Sequence, residues 1–112
     1  MAGPRMTLTT QLVLRALLVD PAREMYGLEI CAAAELPSGT IHPILARLEG
    51  IGWLESRWED VDPREAGRPR RRFYRLSRDG VASSQIALAR AEASATKLAR
   101  LRPGLGLAGG AR

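Results

Sequence analysis

The stretch Leu36-Pro37-Ser38-Gly39-Thr40-Ile41-His42-Pro43-Ile44-Leu45-Ala46-Arg47-Leu48-Glu49 predicts the helix that decides the fold. Its branched aliphatic side chains recur at the spacing that lets a helix bury one stripe, and they are Ile41, Ile44, Leu45 and Leu48. The opposite face is small and nearly uncharged, and it carries Gly39, His42, Pro43, Ala46 and Arg47. Such a face fits the major groove of DNA, which is about 12 Å wide. Taken alone, an ordinary amphipathic surface helix is the commoner explanation, and the rest of the chain decides between the two.

The start of this helix has two alternatives, because Ser38 and Thr40 can each cap its N-terminus. A start at Thr40 places Pro43 in the first turn, where its missing N–H costs nothing, whereas a start at Ser38 loses one hydrogen bond. We therefore favour the later start, or a loosened first turn. In both cases the free N–H groups at the start of the helix suit a phosphate.

A basic β-hairpin is predicted after the helix. Leu54 and Trp58 alternate on one face of its first strand, and Tyr74 and Leu76 do so on the second. The connection, roughly residues 60–69, is too long for a two-residue turn and should project. Residues 67–78 hold six arginines and no acid: Arg68, Arg70, Arg71, Arg72, Arg75 and Arg78. Local positive charge of this kind is typical of a nucleic-acid contact, although Arg72 and Arg75 can instead pair with Glu55 or Glu59.

The composition excludes several function classes. With 112 residues, the chain is long enough for one domain and one core, and its net charge of +5 favours a polyanionic partner. One histidine and one cysteine, without acids at triad or metal-ligand spacing, predict no catalytic activity, no metal and no cofactor. Cys31 cannot form an internal disulfide, and we find no signal segment or membrane span. We therefore expect a cytoplasmic protein.

Two further helices predict a homodimer. The first begins at one of residues 7–10, runs to Val19 and is apolar nearly all round, so a second subunit should help to cover it. The last follows Ser77 and would be roughly 35 Å long, more than its own domain can cover. The side chains expected in the dimer interface are Leu12 and Leu14 on the first helix, and Val81, Leu88, Ala91, Ala95 and Leu98 on the last. The alternative for the last helix is a frayed, solvated tail.

Four segments carry a resemblance to a known family: Tyr26-Gly27-Leu28-Glu29-Ile30, residues 38–49, Gly52-Trp53-Leu54, and Gly67-Arg68-Pro69-Arg70-Arg71-Arg72-Phe73-Tyr74-Arg75-Leu76-Ser77. In order and spacing they are similar to the PadR family of bacterial transcriptional regulators over residues 8–80. The resemblance implies a mainly α fold with a small β-hairpin. It also implies a winged helix-turn-helix over residues 7–78 and a dimerisation helix over 79–102, and we expect a flexible tail over 103–112. His42 departs from the family, which usually has tyrosine at this position.

The function expected from these observations is sequence-specific binding of double-stranded DNA by a homodimeric transcriptional regulator. We expect a repressor acting at a pseudo-palindromic operator. The DNA-contacting residues would be Tyr26, Ser38, Gly39, Thr40, His42, Pro43, Arg47, Arg68, Pro69, Arg70 and Arg71.

Several alternatives stay open. Some family members bind planar aromatic effectors between subunits, but Trp53 and Trp58 fall on the first strand, where packing is the commoner role. The other candidates are a regulator resembling the MarR family, which the short C-terminal region disfavours, a winged-helix protein-interaction module, and a small RNA-binding protein.

Overall fold

A computed structural model of the protein describes residues 3–101, which form five helices and three strands. In chain order the elements are α1 (Leu8–Leu18), β1 (Met25–Tyr26), α2 (Gly27–Ala34), α3 (Ser38–Gly50), β2 (Leu54–Trp58), α4 (Pro63–Ala66), β3 (Arg72–Leu76) and α5 (Arg78–Leu101). The prediction of a mainly α fold with a small β-hairpin is confirmed, and a third short strand extends the hairpin to an antiparallel sheet. The tail predicted for residues 103–112 lies outside the described residues. No helix of the described part is long and apolar enough to cross a membrane.

Helix α1 begins where its sequence predicts. The Thr7 hydroxyl oxygen accepts a hydrogen bond from the Thr10 N–H at 3.2 Å, which satisfies one donor of the first turn. Helices α2, α3 and α5 all contact α1, so most of its apolar surface is covered within one protomer. Leu14, which the sequence predicted for the dimer interface, is 0% exposed and lies in the core of the chain. Leu12 is only partly buried against the core.

Helix α3 packs its predicted stripe into the centre of the core. Ile41, Leu45 and Leu48 are fully buried and Ile44 is 3% exposed. These side chains join buried residues of α1, α2 and both long strands in a single cluster. Because this inner stripe is held by the core, the opposite face of α3 points to solvent.

The start of α3 differs from the one we favoured. The helix begins at Ser38 with Pro37 as its N-cap, and the N–H groups of Thr40 and Ile41 both donate to the Pro37 carbonyl at 3.0 and 3.1 Å. Pro43 therefore lies inside the helix, where it cannot donate to the carbonyl of Gly39. This loss falls on the exposed face, where water can bind that carbonyl, which explains why the earlier start is tolerated.

The sheet has three antiparallel strands in the order β1-β3-β2. The two predicted strands pair in a register that places Leu54 opposite Leu76 and Trp58 opposite Arg72. Strand β1 was not predicted, and in it Tyr26 pairs with Phe73 before α2 begins. Trp53 precedes β2 and does not lie on it, which corrects its assignment to the first strand of the hairpin.

Helix α5 starts on the winged domain and then leaves it. The Ser77 hydroxyl oxygen accepts from the Gly80 N–H at 2.9 Å and donates to the Gly52 carbonyl at 2.6 Å, so the predicted cap also anchors the helix. Leu88 is 6% exposed and belongs to the core of its own protomer. The sequence predicted this side chain for the dimer interface, and the core of the single chain already covers it almost completely. By contrast, every residue from 92 to 101 is exposed.

Candidate nucleic-acid interface

The outer face of α3 presents the side chains predicted to meet DNA. Gly39, His42, Pro43 and Arg47 are exposed and Thr40 is half-buried. A methyl group added at Gly39 would meet nothing within 4 Å, so this part of the face is open. No side chain caps the first turn, which leaves its outermost N–H groups, those of Ser38 and Gly39, directed along the helix axis toward an incoming anion.

His42 joins α3 to the start of α2. A Cβ added to Gly27, the first residue of α2, would lie 3.3 Å from Cε1 of the His42 ring. The imidazole therefore lies against the N-terminus of a second helix while remaining exposed to solvent. The absence of a side chain at Gly27 provides the room for this contact.

Tyr26 and Arg71 are far apart in sequence but contact each other beside the start of α2. The guanidinium carbon of Arg71 lies 4.3 Å from the centre of the Tyr26 ring, within the range of a cation–π contact. The Tyr26 ring meets Phe73 edge to face, with centroids 6.0 Å apart. Strand β1 makes this contact possible because it sets Tyr26 opposite Phe73. Two of the residues predicted to contact DNA, Tyr26 and Arg71, therefore lie together beside α2.

The arginines of the hairpin are not equally available. We call residues 59–71 the wing loop. Within it, Arg68 forms a bidentate pair with Glu59 at 2.6 and 3.0 Å, and Arg70 donates from Nε to the Val61 carbonyl at 2.9 Å. The hydrogen bond from Arg68 lowers the pKa of Glu59 to about 2. The sequence predicted Arg68 as a DNA-contacting residue and did not reveal its pairing with Glu59.

The two weaker arginine candidates also have partners. Arg75 lies 3.3 Å from Glu55, as the sequence allowed. Arg72 instead lies 3.4 Å from Glu49 and stacks 4.9 Å from the centre of the Trp58 ring. The same Glu49 carboxylate accepts a hydrogen bond from the Ser56 hydroxyl. These contacts join the last turn of α3 to both strands of the hairpin.

A separate groove lies between α5, the N-terminal segment and the turn before β2. Its volume is about 660 Å³. Its lining is mainly apolar and includes Met6, Ile51, Trp53, Ile86 and Arg90. Ile51 and Ile86 are 46% and 55% exposed, so this surface is only partly covered within one protomer.

Comparison with known sequences identifies one family. The sequence pattern described as the transcriptional regulator PadR-like family matches residues 14–85, which run from within α1 to the first third of α5. No protein with a curated description matches the chain.

Solved structures share the fold. A PadR family transcription regulator from Clostridium difficile is 21% identical and covers 85% of this chain and 97% of its own, with a TM-score of 0.63. A structure of reduced AbfR bound to DNA is 27% identical, covers 80% of this chain and 56% of its own, and has a TM-score of 0.60. Bordetella bronchiseptica BpsR, whose DNA binding is regulated by 6-hydroxynicotinic acid, is 17% identical, covers 86% and 68%, and also has a TM-score of 0.60.

Proposed function

The chain belongs to the PadR-like family of transcriptional regulators, and we propose that it is a cytoplasmic, homodimeric repressor that binds a pseudo-palindromic operator. In this proposal residues 7–78 bind double-stranded DNA and residues 79–102 form the dimerisation helix. The observation that carries it is the outer face of α3, which is exposed and nearly uncharged while its inner stripe is locked into the core. AbfR, which shares the fold, has been seen bound to DNA.

The residues of α3 divide into two roles in this proposal. Thr40, His42 and Arg47 touch base edges in the major groove, where a recognition helix reads sequence. The N–H groups of Ser38 and Gly39 hold a phosphate, which positions the helix without reading sequence. Pro43 and Gly39 have no long side chain on the exposed face, so they let the main chain approach the DNA closely.

The wing and the start of α2 supply the other phosphate contacts. Tyr26 and Arg71 form one such site, because the ring orients the guanidinium while leaving its N–H groups for an anion. Arg70 contacts a second phosphate, and Pro69 stiffens the loop between Arg68 and Arg70. Arg68 belongs to the same surface, but its guanidinium is already paired with Glu59.

A second copy of the chain is the partner proposed for α5. Leu98 and Leu101 are 56% and 69% exposed on the part of the helix that leaves the domain, and Ala91 and Ala95 lie on the same segment. The groove around Trp53 continues this apolar surface. Leu12 and Val81, which we also propose for this contact, are partly buried against the core. Burial of these side chains in a two-fold contact removes apolar area that a monomer leaves in water.

The groove also offers a place for a small aromatic effector. Trp53 can stack on an aromatic ring, and Arg90 can pair with a carboxylate. DNA binding by BpsR is regulated by such a compound, 6-hydroxynicotinic acid. Titration of that acid into a Trp58→Phe variant, which keeps Trp53 as its one tryptophan, tests this option by fluorescence. Unchanged emission at millimolar acid would exclude this probe.

Selection from a random duplex pool tests the main proposal. The purified chain should retain duplexes with two inverted half-sites whose centres lie about 10–10.5 base pairs apart, or a multiple of that spacing. A gel shift with the selected duplex, competed by scrambled duplex and by RNA, measures specificity. Equal competition by RNA would favour a small RNA-binding protein. No shift with any nucleic acid would favour a protein-interaction module.

A further inference from the structure

The wing loop is closed at its base by one carboxylate. Glu59 accepts two hydrogen bonds from the Arg68 side chain, at 2.6 and 3.0 Å, and one from the Arg71 N–H at 3.1 Å. Its own N–H donates to the Arg71 carbonyl at 2.7 Å. The Glu59 side chain is only 14% exposed, whereas that of Arg68 is 34% exposed. Glu59 therefore binds the side chain of Arg68 and the main chain of Arg71, which directly precedes β3.

The rest of the loop is built to deliver Arg68 to this carboxylate. Asp62 caps the short helix α4 by accepting from the Arg64 N–H at 2.9 Å. Gly67 ends the helix with a φ of 70°, a left-handed conformation that favours glycine. The Arg68 N–H then donates to the Pro63 carbonyl at 3.3 Å. The direction of the chain at Arg68 is thus set by local structure as well as by the ion pair.

We propose that Glu59 and Arg68 act together as a clasp that positions Arg70 and Arg71 for DNA, so that Arg68 serves the wing and does not contact phosphate itself. The inference rests on the proposed function for its DNA measurement. Arg71 depends on the clasp most directly, because Glu59 holds its main chain while Tyr26 supports its guanidinium. The clasp makes Glu59 and Arg68 positioning residues of the DNA-binding surface.

The opposing explanation is that Arg68 is a phosphate contact that Glu59 merely restrains. The two explanations predict opposite changes in DNA affinity when Glu59 loses its charge. Loss of the Glu59 charge removes the repulsion between this carboxylate and DNA. If Glu59 only restrains Arg68, the same change also frees the Arg68 guanidinium to bind phosphate, so DNA binding would tighten. Under the clasp the same change disorders Arg70 and Arg71, so binding weakens despite the loss of a negative charge.

The experiment compares Glu59→Gln, Arg68→Ala and the double variant with the full-length parent on the selected duplex. Each single change should weaken binding about fivefold or more, and the double variant should bind no worse than either single change, because the two residues act as one unit. The slope of log K against log salt should flatten by about 0.9 for each phosphate that the wing no longer binds. Glu65→Gln is the matched control: Glu65 lies in the same loop, its side chain makes no hydrogen bond or ion pair among residues 3–101, and its loss should leave binding equal or slightly tighter.

Tighter or unchanged binding by Glu59→Gln would overturn the clasp, as would additive losses in the double variant. A second measurement needs no DNA. Amide hydrogen exchange of the Arg71 N–H, which donates to Glu59, should accelerate in Glu59→Gln and in Arg68→Ala. If the parent bound no duplex, the proposed function would fail, whereas unchanged exchange in both variants would refute the clasp itself.

Discussion

Replacement of Gly80 by alanine tests how closely α5 is joined to the winged domain. Gly80 lies in the first turn of α5, and a Cβ built on it would lie 2.0 Å from the Trp53 carbonyl oxygen and 2.8 Å from its carbonyl carbon. Cβ atoms do not come within 3.0 Å of such neighbours, so the two backbones must separate by about 1 Å. The Ser77 N–H donates to the same Trp53 carbonyl at 2.9 Å, and this bond would be strained by the separation.

The expected cost follows from two opposing effects. Overpacking of a closely packed site costs about 1–3 kcal/mol, and a clash with main chain belongs at the upper end because no side chain can rotate away. Alanine recovers about 1 kcal/mol through its higher helix propensity. The net loss is about 2 kcal/mol, which lowers the Tm of a domain of this size by about 10 °C.

Thermal unfolding at a fixed protein concentration measures this loss, since the proposed dimerisation would make the Tm depend on concentration. Gly50→Ala is the matched control, because Gly50 ends α3 and an added Cβ there meets nothing within 4 Å. That variant should be as stable as the parent or more stable. A Gly80→Ala protein that melts as high as Gly50→Ala would refute a close contact between α5 and the Trp53 main chain.

Three further predictions follow from the interface, the dimer and the wing. Arg47→Ala should relax base preference at one operator position, by about 1–3 kcal/mol if Arg47 binds guanine bidentately; a panel of single-base variants measures this, and a uniform loss would make it a phosphate contact. Leu98→Asp should shift sedimentation from dimer to monomer without unfolding the protomer, because this side chain is 56% exposed; a variant that stays dimeric would exclude this surface. Because the pKa of Glu59 is lowered from 4.5 to about 2, the stabilisation from its pair with Arg68 is complete above pH 4.5 and disappears as the pH falls toward 2. The Arg71 N–H should therefore donate to Glu59 equally at pH 7 and pH 5, and loss of that hydrogen bond at pH 5 would contradict the lowered pKa.

Sequence predicts the parts of this fold whose signals are local. Thr7 and Ser77 cap their helices because a hydroxyl placed just before a helical stretch can reach N–H groups within one turn. The buried stripe of α3 follows from periodicity alone. Periodicity identifies a buried face but not what covers it. For this reason Leu14 and Leu88, expected against a second subunit, lie in the core of one protomer instead.

Contacts between segments that lie far apart in the chain could not be predicted from the sequence. Strand β1 has two residues, too few for an alternating pattern, and exists because Tyr26 pairs with Phe73. In the candidate site, sequence identified the basic wing but not the pair between Glu59 and Arg68. The register of β2 and β3 brings Glu59 to Arg71, and the turn at Gly67 then brings Arg68 to Glu59. The number and position of charged residues in the sequence predict neither the strand register nor this turn.

The closure of the wing loop has a consequence for how this regulator can diversify. The main chains of Glu59 and Arg71 form a hydrogen bond that fixes both ends of the segment 60–70. The pairing of β2 with β3 therefore does not depend on the sequence of that segment. A flexible loop of twice the length would cost only about 0.6 kcal/mol more to close. The length and charge of this segment can therefore vary between operators, provided that an arginine still reaches Glu59, while α3 and its packing stay unchanged.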